Sequence, residues 1–473
     1  MCSDQQARTS LLKANPQAHR PRRTMFEDLP ATPLDALEIS GGLRFVLQTV
    51  SKLAEIFGFW DHPSSKTAIA FEEMTMLDKL HWAYKCAHPV IRPEHGTRID
   101  ALCGGKNMIT LPEGFEKEGS ISLGAVGDLI QGDGLEHSKD VLYERVADLI
   151  FDRTISYASL ESPLTRQELK KEVISDKESP IECCSREQFE VLKGRKGKYF
   201  TVIHTACNHM FDMGAEGVQT TLDQFARDGI VDIGTNRDPS EYGKGRILER
   251  NGIKVGFASA AFGLNGRNPR QDQAYLINVA KLLPKRGAPD LSLLKQQIDH
   301  CRKQGSDVII ASLHWGYEFE FFPRKRQIEV AHTLIEWGVD ALIAHHPHVI
   351  QPVEYYRTQR DPDRIAVIAY SLGSLTWSYT APHLVLSAIL NLSFAKGRYR
   401  GNPTTFIETA SVTPVFRSHV RDRNRTITRI EKLHDFADPQ ESDEKTQYVA
   451  HIRRFAELVL GGKMPPVQSR DIA

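Results

Sequence analysis

Between Ile121 and Gly373 the chain alternates short apolar runs with amphipathic stretches, and this alternation limits its fold more than any other feature. The runs ISLGAVGD, KYFTVIHTA, IKVGFASAA, DVIIASLHWG, DALIAHHPHV and RIAVIAYSLG have the length and β-branched content of buried strands. Ala215 to Asp228 sets Val218, Leu222, Phe225 and Ala226 on one helical face, with Gly229 as a stop. Leu291 to Gln304 repeats the pattern through Leu294, Ile298 and Cys301 ahead of Gly305, and KRQIEVAHTLIEWG reads as a third helix. Strand and helix in such succession predict an α/β fold, a layered sandwich of largely parallel or mixed β-sheet covered by helices.

Around this region the sequence predicts a flexible tail over 1–34 and a helical extension over 35–118. In the extension Leu43, Val46, Val50, Leu53 and Phe57 recur at three- and four-residue spacing, and a second helical stretch runs to about Tyr84. The main domain is expected over 119–401, interrupted by a charged insertion at 163–198. A C-terminal segment, 402–473, is expected to pack on it. Lys and Arg total 60, as do Asp and Glu, so no global field favours nucleic acid or an anionic membrane. The basic clusters at 193–198 and 417–429 read as solvated loops. Seven cysteines without a CxxC pair favour free thiols in a reducing compartment. No apolar run reaches the roughly 18 residues of a membrane span, so a cytoplasmic location is expected.

In open α/β sheets ligands gather beyond the carboxyl ends of the strands. Here those ends carry Asp128, Glu161, the group His204, Asn208 and His209, then His314, then His345, His346 and His348. A single Gly-Asp is usually a turn, and a single histidine before Trp315 can be a core residue. Three imidazoles within HHPHV are costly to pack unless their nitrogens are used. Neutral imidazole, carboxylate and amide oxygen together suit Mn, Fe, Zn or Co, and six or more such groups exceed the needs of one tetrahedral ion. Two divalent ions would polarise an ester or phosphoryl oxygen and make a nucleophile of bound water near neutral pH.

The stretches GAVGD, SLESPLT, CNHMFDMGAEGVQTTL, the run from His314 through HHPHVIQPVEYY, and YSLGS occur in this order over residues 119 to 376. Together they resemble the CapA family, named for bacterial poly-γ-glutamate capsule synthesis and related to calcineurin-like metallophosphoesterases. The resemblance implies that Asp128, Glu161, Asn208, His314, His346 and His348 are metal ligands, with Glu161 bridging two divalent transition-metal ions (Mn, Fe or Zn). It implies that His209 serves as acid or base toward a leaving group, while Asp212 and Gly214 shape the turn behind it. His204 and His345 would hydrogen-bond beside the ligands. The chain departs from the family pattern at Ser159, Cys207, the Ala344-His345 pair and Ser374, all beside the expected ligands. A soluble hydrolase of a phosphoester or γ-glutamyl-type amide is the expected activity. The alternative is a noncatalytic accessory protein whose helical extension docks a protein partner. No GxxxxGK[ST] loop supports a nucleotide-driven ligase.

Overall fold

The computed structural model describes residues 29–36, 38–64, 66–99, 102, 109–166, 179–422, 425–436 and 444–461. Most of the expected tail, the middle of the expected insertion, and Cys2 and Cys103 lie outside them.

Two β-sheets face each other. The first contains β1 (Glu116–Leu129), β2 (Ile155–Leu160), β5 (Val202–His204), β6 (Val231–Ile233), β13 (Ser374–Thr376), β14 (Leu386–Tyr399), β15 (Asn402–Asp422) and β16 (Arg425–Lys432). Its order is β16-β15-β14-β1-β2-β5-β6, with β13 also paired to β1. The second contains β7 (Arg246–Arg250), β8 (Ile253–Ala261), β9 (Val308–His314), β10 (Ala341–His345), β11 (Val353–Arg357) and β12 (Ile365–Ala369), in the order β11-β12-β10-β9-β8-β7. A small hairpin, β3 (Gly194–Arg195) with β4 (Lys198–Tyr199), stands apart. Strands β1, β2, β5 and β6 run parallel, as do β8, β9, β10 and β12, while the outer pairs β14–β15–β16, β11–β12 and β7–β8 are antiparallel.

Residues from the inner faces of both sheets share one core, including Ile121, Leu123 and Val202 from the first and Val255, Ile310 and Ile343 from the second. Each such side chain, once fully buried, contributes roughly 1.5–3 kcal/mol relative to exposure. The outer face of the second sheet packs under α6 (Ser292–Lys303) and α7 (Lys325–Glu336) through Leu294, Ile298, Val330 and Leu334. The outer face of the first lies against α3 (Ala147–Ile150), α4 (Arg186–Leu192) and α5 (Gly214–Asp228) through Ile150, Phe189 and Phe225. Layers therefore run helix, sheet, sheet, helix, the mixed α/β sandwich the alternation predicts. β9 and β10, VIIASLH and ALIAH, are buried along their whole length, which is why they read as continuous apolar runs and not as alternating ones.

The remaining helices pack around this sandwich. Those fully within the described residues are α1 (Gly41–Phe57), α2 (Met76–Ala87), α8 (Pro382–Val385) and α9 (Glu444–Leu460). A capping box at Thr75 starts α2: the Thr75 side chain accepts from the Asp78 N–H, and the Asp78 carboxylate accepts from the Thr75 N–H at 2.8 Å. Lys85 on α2 donates to buried Glu320 at 2.8 Å, Arg324 donates to the same carboxylate at 2.7 and 2.9 Å, and Lys285 reaches Asp78 at 2.7 Å. Val90 pairs with Glu320 as a parallel bridge, and His383 Nε2 lies 3.1 Å from the Cys86 carbonyl. Through these contacts the N-terminal segment is fastened to the strand ends of the second sheet.

Two readings of the sequence need correction. On α1 the residues packed inward are Leu47 and Ala54, whereas Val46, Leu53 and Phe57 of the expected stripe are exposed. Leu47 packs with Ala83, and Ala54 with Trp60 and Tyr84, so small and mid-sized residues set the contact and leave the bulkier face outward. The basic clusters are likewise not simply solvated. Lys193 is buried between Glu190 at 2.7 Å and Asp228 at 2.9 Å, and Arg417 lies in β15, fully buried. The Arg417 guanidinium donates to the carbonyls of Ser374, Leu375, Tyr379 and Leu384, tying β13 and the segment after it in place.

Candidate metal centre

Each candidate residue reaches the site because a parallel strand ends beneath it. β1 changes register just before Asp128, an irregularity of the kind that re-aims a side chain. Gly127 permits the close packing behind it: a Cβ there would stand 1.9 Å from the Gly373 carbonyl oxygen. The Asp128 N–H donates to that same oxygen at 3.0 Å, so the glycines of GAVGD and YSLGS let two backbones touch under the carboxylate.

Asp128, Glu161, His314, His346 and His348 converge, all buried. Glu161 Oε1 lies 3.2 Å from His314 Nε2, and Glu161 Oε2 lies 3.8 Å from His348 Nδ1. The His346 N–H donates to Asp128 Oδ2 at 3.2 Å. Three groups of donor atoms each fall within 4.8 Å: Glu161 with His314 and His346, Asp128 with Glu161 and His348, and Glu318 with His346 and His348. Asn208 stands beside them, its amide nitrogen donating to Asn265 Oδ1 at 3.3 Å and its buried Oδ1 left without a hydrogen-bond partner.

His209 lies next to Asn208. Its Nδ1 is 2.6 Å from Asp212 Oδ2, so a proton there is held by the carboxylate and Nε2 is presented on the other side of the ring, 3.4 Å from Asn265 Nδ2. The Asp212 side chain is fully buried and anchored by the Glu182 N–H at 2.8 Å and by Arg267 at 3.1 Å. The expected turn-shaping residue thus orients the imidazole as well. His345 Nε2 is 2.9 Å from the Tyr157 hydroxyl, and its Nδ1 lies 3.2 Å from Asp128 Oδ1. His204 Nδ1 is 3.4 Å from Ser159 Oγ, and Ser374 Oγ is 2.9 Å from His348 Nδ1. Two of the positions that depart from the family pattern therefore bond to imidazoles. Cys207 is buried, and burial together with Glu161 pushes its thiol well up, which leaves it protonated and unsuited to attack.

Burial, reinforced by the Asp128 carboxylate, pushes Glu161 well above the usual carboxylate range. For Asp128 burial acts upward, but His345, His314 and His348 together outweigh it and hold the carboxyl below its ordinary value. Burial pushes His314, His346 and His348 downward, so all three are neutral imidazoles with lone pairs to offer. Buried polar atoms ordinarily find partners. Here both oxygens of Glu161, both nitrogens of His314, His346 Nδ1 and Asn208 Oδ1 have no hydrogen-bond partner. Such a set fits divalent transition metal, because cations would satisfy these atoms together.

Four non-glycine residues with positive φ flank the site: His346 at 97°, Phe319 at 62°, His348 at 57° and Asn265 at 52°. Such backbone costs about 1–3 kcal/mol per residue and persists where the surrounding structure over-determines it.

Residues 122–379 match the family described as bacterial capsule synthesis protein PGA_cap. The chain belongs to that family. It is 27% identical over 343 residues to the PGA biosynthesis protein CapA of Bacillus subtilis (strain 168), an alignment covering 70% of this chain and 83% of the relative. It is 26% identical over 270 residues to the capsule biosynthesis protein CapA of Bacillus anthracis, covering 54% and 60%. Among solved structures, the calcineurin-like phosphoesterase YfkN from Bacillus subtilis aligns with 72% of this chain and 98% of its own at 15% identity, with a TM-score of 0.32. Within this PGA_cap protein no helix of the described residues is long and apolar enough to cross a membrane.

Sequence reasoning missed Glu318, Asn265 and Trp82. Glu318 follows His314 by four residues in the same loop, and the Trp82 indole N–H donates to its second oxygen. Proximity in the HWGYE stretch could have flagged Glu318; nothing local marks Trp82 or Asn265.

Proposed function

We propose that this PGA_cap protein is a metal-dependent hydrolase acting on a phosphoester or a γ-glutamyl-type amide. Asp128, Glu161, Asn208, His314, His346 and His348 would hold two divalent transition-metal ions, with Glu318 close enough to join them. The observation that carries this reading is the cluster of buried oxygens and nitrogens lacking hydrogen-bond partners at five strand ends. When bound, the ions would supply Lewis acidity and lower the pKa of coordinated water. The chain's own part is to hold the ligand atoms in fixed register, to keep the imidazoles neutral, and to deliver a proton. His209 is suited to that last task, since Asp212 fixes its Nδ1 and leaves Nε2 available toward a departing oxygen or nitrogen.

Substituting His209→Ala should lower turnover of a phosphomonoester by roughly 10²–10⁴-fold, the usual share of a general acid, while elemental analysis finds the same metal content. Full activity in that variant would remove His209 from the mechanism.

The relatives are named for biosynthesis and not for hydrolysis, which favours a second reading, an accessory protein without turnover of its own. The exposed residues Phe45, Ile56 and Phe57 of α1 would then meet a protein partner. Absence of any metal-dependent hydrolysis in protein loaded with Mn or Zn would favour it.

A further inference from the structure

Among the described residues, a cleft opens directly onto the candidate metal centre. It encloses about 880 Å³ of space between protein atoms, part of it open to solvent. At its floor stand His209, Asn265, Glu318 and His346. Its walls are mostly apolar and come mostly from the N-terminal segment: Leu43 and Leu47 of α1, Ile69, Phe71 and Met74 of the connection, and Leu80 of α2, with Ser179, Pro180 and Phe262 completing them. Lys79 is the only Lys or Arg in the lining formed by the described residues, and its Nζ sits 4.4 Å from the centroid of the Phe71 ring.

Two properties of this cleft bear on what it takes. A chain of carboxylates threaded along it would lose its water against aliphatic walls, meet one lysine, and approach the Glu318 carboxylate at the floor. An apolar group would instead gain by leaving water, while the bond to be cut lies against the polar floor. The N-terminal segment is also held in place and not merely resting there, because the Trp82 indole donates to Glu318 and Lys85 enters the buried Glu320–Arg324 group.

We infer that the substrate of this site is amphiphilic, carrying an aliphatic or aromatic tail that lies between α1, α2 and the 69–74 connection while its phosphoester or amide head reaches the metal centre. This rests on the hydrolase reading for the head, but the tail site is a binding property and can be tested apart from turnover.

The probes are n-alkyl phosphonates, from methyl through butyl to octyl, titrated calorimetrically into the full chain loaded with Mn(II), together with the matching alkyl phosphates as substrates. Affinity for the phosphonates should rise roughly two- to fourfold per added methylene until the cleft is filled. Leu43→Glu should flatten that rise, and Leu43→Met, which keeps the apolar bulk, should restore it; both are checked for unaltered circular dichroism. If octyl phosphonate binds no more tightly than methyl phosphonate, or neither binds, the inference is overturned. A climb with chain length but no hydrolysis of any alkyl phosphate would uphold the tail site and sink the hydrolase reading. Hydrolysis at rates indifferent to chain length, with flat phosphonate binding, would do the opposite.

Discussion

Glu161, His346 and His348 each belong to two of the three candidate donor groups, whereas Asp128, His314 and Glu318 belong to one each. Loss of a shared residue should therefore disturb both ions, and loss of an unshared residue mainly one. The difference can be read as stability. An ion present at 100 times its Kd stabilises the folded state by about 2.7 kcal/mol, so two independent ions contribute about 5 kcal/mol. Glu161→Gln should abolish nearly all of this gain, and Glu318→Gln no more than about half of it. The metal-free variants supply an internal control. The Glu161 oxygens accept no hydrogen bond, so Glu161→Gln breaks none and should leave metal-free stability unchanged or higher. Urea unfolding with and without Mn(II), paired with metal content by elemental analysis, measures both quantities. Equal metal-induced stabilisation in wild type, Glu161→Gln and Glu318→Gln would refute the argument that Glu161 is shared.

Arg417→Met should destabilise the metal-free protein by roughly 2–4 kcal/mol, because four buried carbonyls lose a donor that the thioether cannot replace. An unchanged urea midpoint would show that these carbonyls find other partners. The pH dependence of stability has a definite sign. Burial pushes His81 and His419 down to about 3 and His383 down to about 4, so the unfolded chain takes up protons first as pH falls below 6.5. Their stabilisation is complete above pH 6.5 and is lost progressively toward pH 3–4. For His383 the loss is on the order of 2 kcal/mol by pH 5. Unfolding free energies measured between pH 7 and 5 should show this slope, reduced in His383→Gln; a flat profile in the wild type would contradict it.

The sandwich was legible because its central strands obey local rules. VIIASLH and ALIAH are buried along their whole length, and each must be covered on both faces, which only helices and a second layer can do. The imidazoles and carboxylates at their ends were legible for the same reason, since parallel strands deliver their carboxyl ends to one edge. What escaped is what depends on distant partners. VEYYR at β11 is a short edge strand, half-buried, and its alternation is too brief to separate from a loop. Arg417 looks solvated until β16 and the segment following β13 close over it. On α1, two apolar stripes compete for the interior, and spacing alone does not say that Leu47 and Ala54 prevail over the stripe with Val46, Leu53 and Phe57. Trp82 belongs to the same class: 236 residues separate it from Glu318, and no local pattern announces the pairing.

The stretch that matches the family model runs from 122 to 379, whereas most of the residues walling the cleft, Ser179, Pro180 and Phe262 excepted, lie between 39 and 83. The atoms that would do the chemistry and most of the surface that would choose the molecule are thus carried by separate lengths of chain. A relative can keep every donor at the strand ends, exchange its N-terminal segment, and answer to a different compound. Kinship measured over the matched stretch therefore bears on the donors at the strand ends and is silent on most of the residues that wall the cleft.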